Sequence, residues 1–191
     1  MLLLITPPIQ VKDEATILRQ IALFDTCIIH VRKPNFSIEQ MKKWLEQFPS
    51  EATQKMMLHQ HHQLQNEFNL KGIHFKESHK NSGVPFLKDT RLIHSAAYHN
   101  VQDAIKQDHY HYSMLSPVFD SISKSNLKGK HFQIQKSNKP IIALGGIGEQ
   151  NLKTACDLGF QGIAVLGSVW QHADPVKAFK TIEKKYQNVF R

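Results

Sequence analysis

The chain has 191 residues, enough to bury one good hydrophobic core but short for two, and its 41% hydrophobic content is that of an ordinary globular protein. No apolar run approaches the ~18 residues of a membrane span, so no membrane partner is expected. The formal charge of +8 invites a nucleic-acid reading. However, many of the basic residues (Lys42, Lys43, Lys177, Lys180, Lys184, Lys185) fall on outer helix faces, where solvation accounts for them, and an anionic small molecule explains the charge more simply than nucleic acid.

The opening Met-Leu-Leu-Leu-Ile lacks a basic lead and breaks at Pro7-Pro8, so it reads as a first strand and not as a signal-peptide core. Residues 13–24 carry Ile17, Leu18, Ile21 and Ala22 at helical spacing. Cys27–Val31 is a second strand that runs into Arg32-Lys33-Pro34. Ser37 can cap a helix over 38–48, with Gln40 as its reciprocal partner. Residues 55–58 form a third strand that ends in a histidine cluster, 63–69 a short helix, and Gly72–Phe75 a fourth strand. Residues 76–90 read as loop, 91–94 as a fifth strand, and Asn100 with Asp103 as a helix cap ahead of 104–106. Tyr112–Leu115 is a sixth strand, followed by a loop through Ser121, Ser123 and Lys124.

Residues 140–170 organise the chain. The apolar run Ile141–Leu144 suits a parallel strand buried on both faces. Gly145, Gly146 and Gly148 follow, then a helical segment with Leu152, Ala155, Cys156 and Leu158, stopped by Gly159. A second apolar run, 163–166, ends at Gly167-Ser168. This is a βαβ unit with bare backbone amides after both strands, an arrangement suited to phosphate. A last amphipathic helix covers 175–186.

Strand and helix alternate about eight times, the signature of a (β/α)8 TIM barrel occupying residues 1–191 as one domain. The chain is small for that fold, so one or more outer helices must be shortened, most of all within 125–138. An open doubly wound sheet fits less well, because no glycine fingerprint follows the first strand. In a parallel barrel, function sits at the C-terminal strand ends. Those ends collect Thr6; His30, Arg32 and Lys33; His59, Gln60, His61 and His62; Lys76 to His79; His94; Ser121, Ser123 and Lys124; Gly145 and Gly146; Gly167 and Ser168. Basic groups and small hydroxyls dominate. They suit an anionic ligand better than a cation held by oxygen ligands. Arg32 could grip a phosphate bidentately, and Ser121-x-Ser123-Lys124 could clamp one. The histidines show no HExxH or finger-like spacing and read as packed or solvated imidazoles, with no metal site assigned. Cys27 and Cys156 read as buried thiols of a reducing cytoplasm.

With LLLIT, IIHVRKP, GIHF, SPVFDSISK, PIIALGGI and GIAVLGS in that order, the whole chain resembles the thiamine phosphate synthase and thiazole tautomerase family. The resemblance implies a cytoplasmic transferase of thiamine biosynthesis that joins a pyrimidine diphosphate to thiazole phosphate and releases diphosphate. By resemblance, Arg32 and Lys124 are the catalytic cations on the diphosphate, with His30, Lys33, His59 and His79 completing the diphosphate and pyrimidine site. Ser121, Ser123, Gly145, Gly146, Gly167 and Ser168 match the phosphate-binding positions. A homodimer is the family's expected assembly.

The departures are specific. The family's magnesium carboxylates fall on His59-Gln60 and His79, its serine after strand five on Ala97 beside a retained His99, and the second lysine beyond Arg32 on Pro34, with Lys33 as stand-in. The tautomerase's catalytic histidine falls on Pro117. Magnesium is thus implied by the family but not by these residues. Two alternatives to a synthase follow: a relative that acts on or binds thiazole or thiamine phosphate, and a non-catalytic phosphate-binding barrel.

Overall fold

The computed structural model describes residues 1–76, 92–106, 109–120, 128–130, 132–135 and 137–190. Eight strands, each parallel to its neighbours, close on themselves in sequence order: β1 (Leu2–Ile5), β2 (Cys27–Val31), β3 (Met56–Leu58), β4 (Gly72–Phe75), β5 (Ile93–Tyr98), β6 (Tyr112–Leu115), β7 (Ile141–Leu144) and β8 (Gly162–Val165). β8 returns to β1 with Leu2 opposite Ile163 and Leu4 opposite Val165. The expected (β/α)8 barrel is therefore the fold.

Alternation along each strand sorts side chains into two cores. Leu3, Ile5, Met57, Met114, Ile142 and Ala164 fill the inside of the barrel. Leu2, Leu4, Ile29, Val31, Met56 and Leu58 face outward onto the helices. Among the described residues these helices are α1 (Glu14–Ile21), α2 (Ile38–Leu45), α3 (Ser50–Thr53), α4 (Val101–Lys106), α5 (Leu152–Asp157), α6 (Gly167–Trp170) and α7 (Pro175–Phe190). None of them is long and apolar enough to cross a membrane.

Local sequence explains the ends of these elements. Ser37 Oγ accepts from the Gln40 amide at 3.2 Å while Gln40 Oε1 accepts from the Ser37 amide at 2.8 Å, the expected reciprocal cap of α2. Asn100 Oδ1 accepts from the Asp103 amide at 2.8 Å ahead of α4. Gly159 stops the helical segment at φ +90°, where an added Cβ would lie 2.2 Å from the Ile134 carbonyl oxygen.

Several boundaries differ from expectation. β5 runs to Tyr98, well past His94, because its small and polar residues hide a strand whose Ser95 hydroxyl is satisfied inside the barrel. His94 is therefore the second residue of β5 and packs on the outer side against Phe75 and His111, away from the C-terminal mouth. The connection after β3 is a single 3-10 turn over His62–Asn66, and the described residues between β6 and β7 contain no helix. That is the shortening a small barrel requires. α3 and α6 carry no strong periodic signal and were not expected. Cys27 is buried, whereas Cys156 is only partly so.

Lys33 corrects the expectation that it serves the diphosphate site. Its side chain is fully buried on the outer side of the barrel end, with Nζ 2.6 Å from Glu14 Oε1 and 2.8 Å from the Pro7 carbonyl oxygen. Trp44 flanks the ammonium, its ring centroid 5.8 Å away. The pair ties the exits of β1 and β2 to the start of α1. Desolvation raises the Glu14 pKa against the pull of Lys33 and lowers that of Lys33 against the pull of Glu14. Removing one partner strands the other charge. Lys33→Met alone should lower the unfolding free energy by about 3–5 kcal/mol in urea titrations, and Lys33→Met combined with Glu14→Leu should recover most of it.

Candidate functional site at the C-terminal mouth of the barrel

The C-terminal strand ends surround a cavity of about 730 Å³. This is ample for a phosphorylated heterocycle. Arg32 and Lys76 supply positive charge to its lining, and Met114, Leu144, Leu166 and Trp170 supply apolar surface. Among the described residues lining it there is no Asp or Glu.

Arg32 follows β2 directly, and its backbone is anchored by the buried Thr6. The Arg32 amide donates to Thr6 Oγ1 at 2.9 Å, and that hydroxyl donates to the Arg32 carbonyl at 3.4 Å. Across the cavity, Gly145 and Gly146 turn the chain at φ +96° and +67°, in the region open to glycine. A Cβ at Gly146 would stand 2.2 Å from the Asp120 carbonyl oxygen, so this turn lies against the loop after β6. Asn151 Nδ2 donates to the Gly146 carbonyl at 2.9 Å, and the Phe119 amide donates to that of Gly145 at 3.0 Å. Gly167 opens α6, the short helix after β8, and also lines the cavity. Trp170 Nε1 donates to the Ile5 carbonyl at 2.9 Å, fixing α6 to the end of β1. The two glycine sites and Arg32 thus open onto one cavity.

The cavity floor holds a polar cluster that sequence spacing did not reveal. His30, His59 and His74 point inward from three consecutive strand ends, exposed by 0%, 8% and 2%. A hydrogen bond of 3.0 Å joins His30 Nδ1 to His59 Nε2, the Tyr112 hydroxyl lies 2.6 Å from His30 Nε2, and Ser95 Oγ lies 2.8 Å from His74 Nδ1. Tyr112 and Ser95 escaped the sequence reading, since each passes for an ordinary strand residue. The usable signal is a polar residue on a strand otherwise buried on both faces. Burial holds all three imidazoles neutral. It lowers the pKa of His30 and His59 well below the ordinary value, with His74 a further cause for both, and brings His74 to about 3.

The other expected residues lie as follows. His59 lines the cavity, while His30 sits beneath it. Gln60 donates its side-chain amide to the Lys33 carbonyl, and His61 Nε2 lies 2.7 Å from the Phe36 carbonyl oxygen, so both brace loops. Ser168 follows Gly167 on α6 with its hydroxyl buried and without a hydrogen-bond partner. Ser121, Ser123, Lys124 and His79 lie outside the described residues.

The neutral histidines make stability acid-sensitive in a stated direction. Their folded pKa values lie below the unfolded value near 6.5, so their contribution is complete above that pH and falls as pH drops towards about 3 for His74. Unfolding free energies from urea titrations should fall as pH drops from about 7 to 5, by on the order of 1 kcal/mol per histidine per pH unit, and His74→Gln should flatten the slope. An unchanged slope in the variant would show that His74 is protonated equally in both states.

A family model described as thiamine monophosphate synthase matches residues 2–169. The thiamine-phosphate synthase of Clostridium tetani (strain Massachusetts / E88) is 22% identical over 179 residues, 87% of this chain and 85% of that protein. That of Limosilactobacillus reuteri (strain DSM 20016) is 31% identical over 93 residues, 46% of this chain. The matches span 43% of the length of the L. reuteri protein and 61% of that of the relative from Leptospira biflexa. Among solved structures, thiamine phosphate pyrophosphorylase from Bacteroides thetaiotaomicron superposes with a TM-score of 0.75 at 26% identity, covering 97% of each chain. The counterpart from Pyrococcus furiosus gives a TM-score of 0.76 at 19% identity, covering 100% of this chain and 96% of that one, a likeness of fold.

Proposed function

The chain belongs to the thiamine monophosphate synthase family, and we propose that it joins hydroxymethylpyrimidine diphosphate to thiazole phosphate. In this reaction the bond between the pyrimidine methylene and the diphosphate oxygen breaks, its electron pair leaving with diphosphate. The carbocation-like methylene then accepts the lone pair of the thiazole nitrogen to give thiamine phosphate. The observation that carries this reading is the single cavity shared by Arg32, the Gly145-Gly146 turn and Gly167.

Departure of diphosphate is favoured by fixed positive charge where its negative charge develops. Arg32, directed into the cavity, is suited to that role through bidentate contact, with Lys76 adding charge to the lining. By family position Lys124 is assigned to the diphosphate, and Ser121 and Ser123 to phosphate binding. The thiazole phosphate is assigned to the opposite wall, where the glycine turns give close approach to backbone. There the unpartnered Ser168 hydroxyl lies beside Gly167. The apolar surface of Met114 and Leu144 between the two ends suits two stacked rings and keeps water from the cation.

The magnesium implied by the family does not fit the donors among the described residues. Magnesium takes hard oxygen ligands, usually carboxylates. The described lining offers none, and Gln60, at one of the implied positions, spends its amide on the Lys33 carbonyl. The side-chain cations Arg32 and Lys76 supply charge to offset diphosphate. The lack of carboxylates in the described lining favours, as a second reading, a relative that binds thiazole phosphate or thiamine phosphate without joining the two substrates.

Incubating the purified chain with both substrates, with and without magnesium, and measuring thiamine phosphate and diphosphate separates the two readings. The synthase reading expects both products in equal amounts. No product under either condition, together with measurable thiazole phosphate binding, selects the second reading. Within the synthase, Arg32→Ala should lower kcat/KM by about 100-fold or more while changing thiazole phosphate affinity less than about threefold. Equal losses would place Arg32 in the scaffold.

A further inference from the structure

We propose that His30, His59 and His74 form a three-histidine site for a divalent transition-metal ion of the zinc type, set in the floor of the cavity with its fourth position facing the ligand. The inference goes beyond the synthase reading and does not depend on it. One nitrogen from each ring lies within 4.8 Å of one from each of the others. A tetrahedral zinc ion with bonds of about 2.0–2.1 Å needs ligand nitrogens about 3.3 Å apart, so sub-ångström to ångström ring movements close the site.

The hydrogen bonds around the cluster are those a metal site uses. Tyr112 holds the far nitrogen of His30 at 2.6 Å, and Ser95 holds that of His74 at 2.8 Å. Each hydroxyl can accept an N–H, which fixes the tautomer and leaves the other ring nitrogen, His30 Nδ1 or His74 Nε2, as a lone-pair donor. His30 Nδ1 and His59 Nε2 already face one another at 3.0 Å. An ion that accepts both lone pairs takes the place of the proton between them, which moves to His59 Nδ1 so that the ring stays a neutral ligand. His59 and His74 also line the cavity, so the remaining coordination position opens to it. Three imidazoles with an open position are the donor set of a catalytic zinc site and suit zinc, cobalt, nickel or copper, whereas magnesium and calcium prefer oxygen. A cation there would add positive charge beneath a cavity already carrying Arg32, favouring an anionic fourth ligand such as a phosphate oxygen.

The test uses the full chain stripped with chelator and titrated with Co²⁺, following the visible d–d bands, whose intensity separates tetrahedral from octahedral coordination. The expected result is intense tetrahedral bands that saturate at one ion per chain and are displaced by Zn²⁺. They should be lost in His59→Gln and in His74→Gln and kept in His172→Ala. Only weak octahedral bands, or intense bands that survive both cluster substitutions, would overturn the proposal and leave a packed hydrogen-bond cluster. If the histidine variants do not fold, Tyr112→Phe decides instead. Removing the hydroxyl that orients His30 should weaken Co²⁺ binding about 10-fold or more, and an unchanged affinity counts against the site. No substrate enters these measurements, so their failure and the failure of the synthase reading are distinguishable.

Discussion

Neighbouring residues on a β-strand leave on opposite faces, and in a closed barrel both faces are dry. That constraint governs the rest of the molecule, because a polar side chain on any strand must find its partner within the compartment its position assigns it. His30 faces in and meets His59 and Tyr112. Ser95 faces in and meets His74, whereas His94, one residue earlier, faces out and meets His111. Just past the end of β2 the same parity separates two adjacent cations. Arg32 lines the cavity, and Lys33 turns to the helix side, where Glu14 neutralises it.

The cavity that results is divided by charge. Fixed cations stand on the side of β2 and β4, glycine turns on the side of β7 and β8, and the uncharged imidazoles of β2 to β4 lie on the floor on the cation side. The loops that shape it are held by groups that do not face the ligand. The Lys33–Glu14 pair fixes the exits of β1 and β2, Asn151 fixes the Gly146 turn, and Trp170 ties α6 to β1. Such outlying contacts position the lining without adding charge to it. They also explain why Gly146→Val would be a poor probe of phosphate binding: the new side chain would meet the Asp120 carbonyl as well as any ligand.

The histidine cluster is costly to leave without a purpose. Three buried imidazoles, a phenol and a hydroxyl occupy space that aliphatic side chains fill elsewhere in the barrel. Every one of these contacts must be satisfied for the interior to tolerate them. The cluster's three ring nitrogens lie at the mouth of the barrel, where the described cavity lining carries no Asp or Glu. Such a donor set suits nitrogen-seeking ions better than hard, oxygen-seeking ones.

The sequence by itself determined the alternation of strands and helices, the caps at Ser37 and Asn100, the stop at Gly159 and the paired glycine turns, because each is written in a few adjacent residues. From the strand ends it also named Arg32, Gly145, Gly146 and Gly167, which line one cavity. Only the tertiary structure decided that Lys33 leaves the site, that β5 continues to Tyr98, and that His30, His59 and His74 converge with Tyr112 and Ser95. The physical reason is that periodicity states which residues share a face but not which face turns inward. Contacts between strands depend on the register of ladders whose members are far apart in the chain.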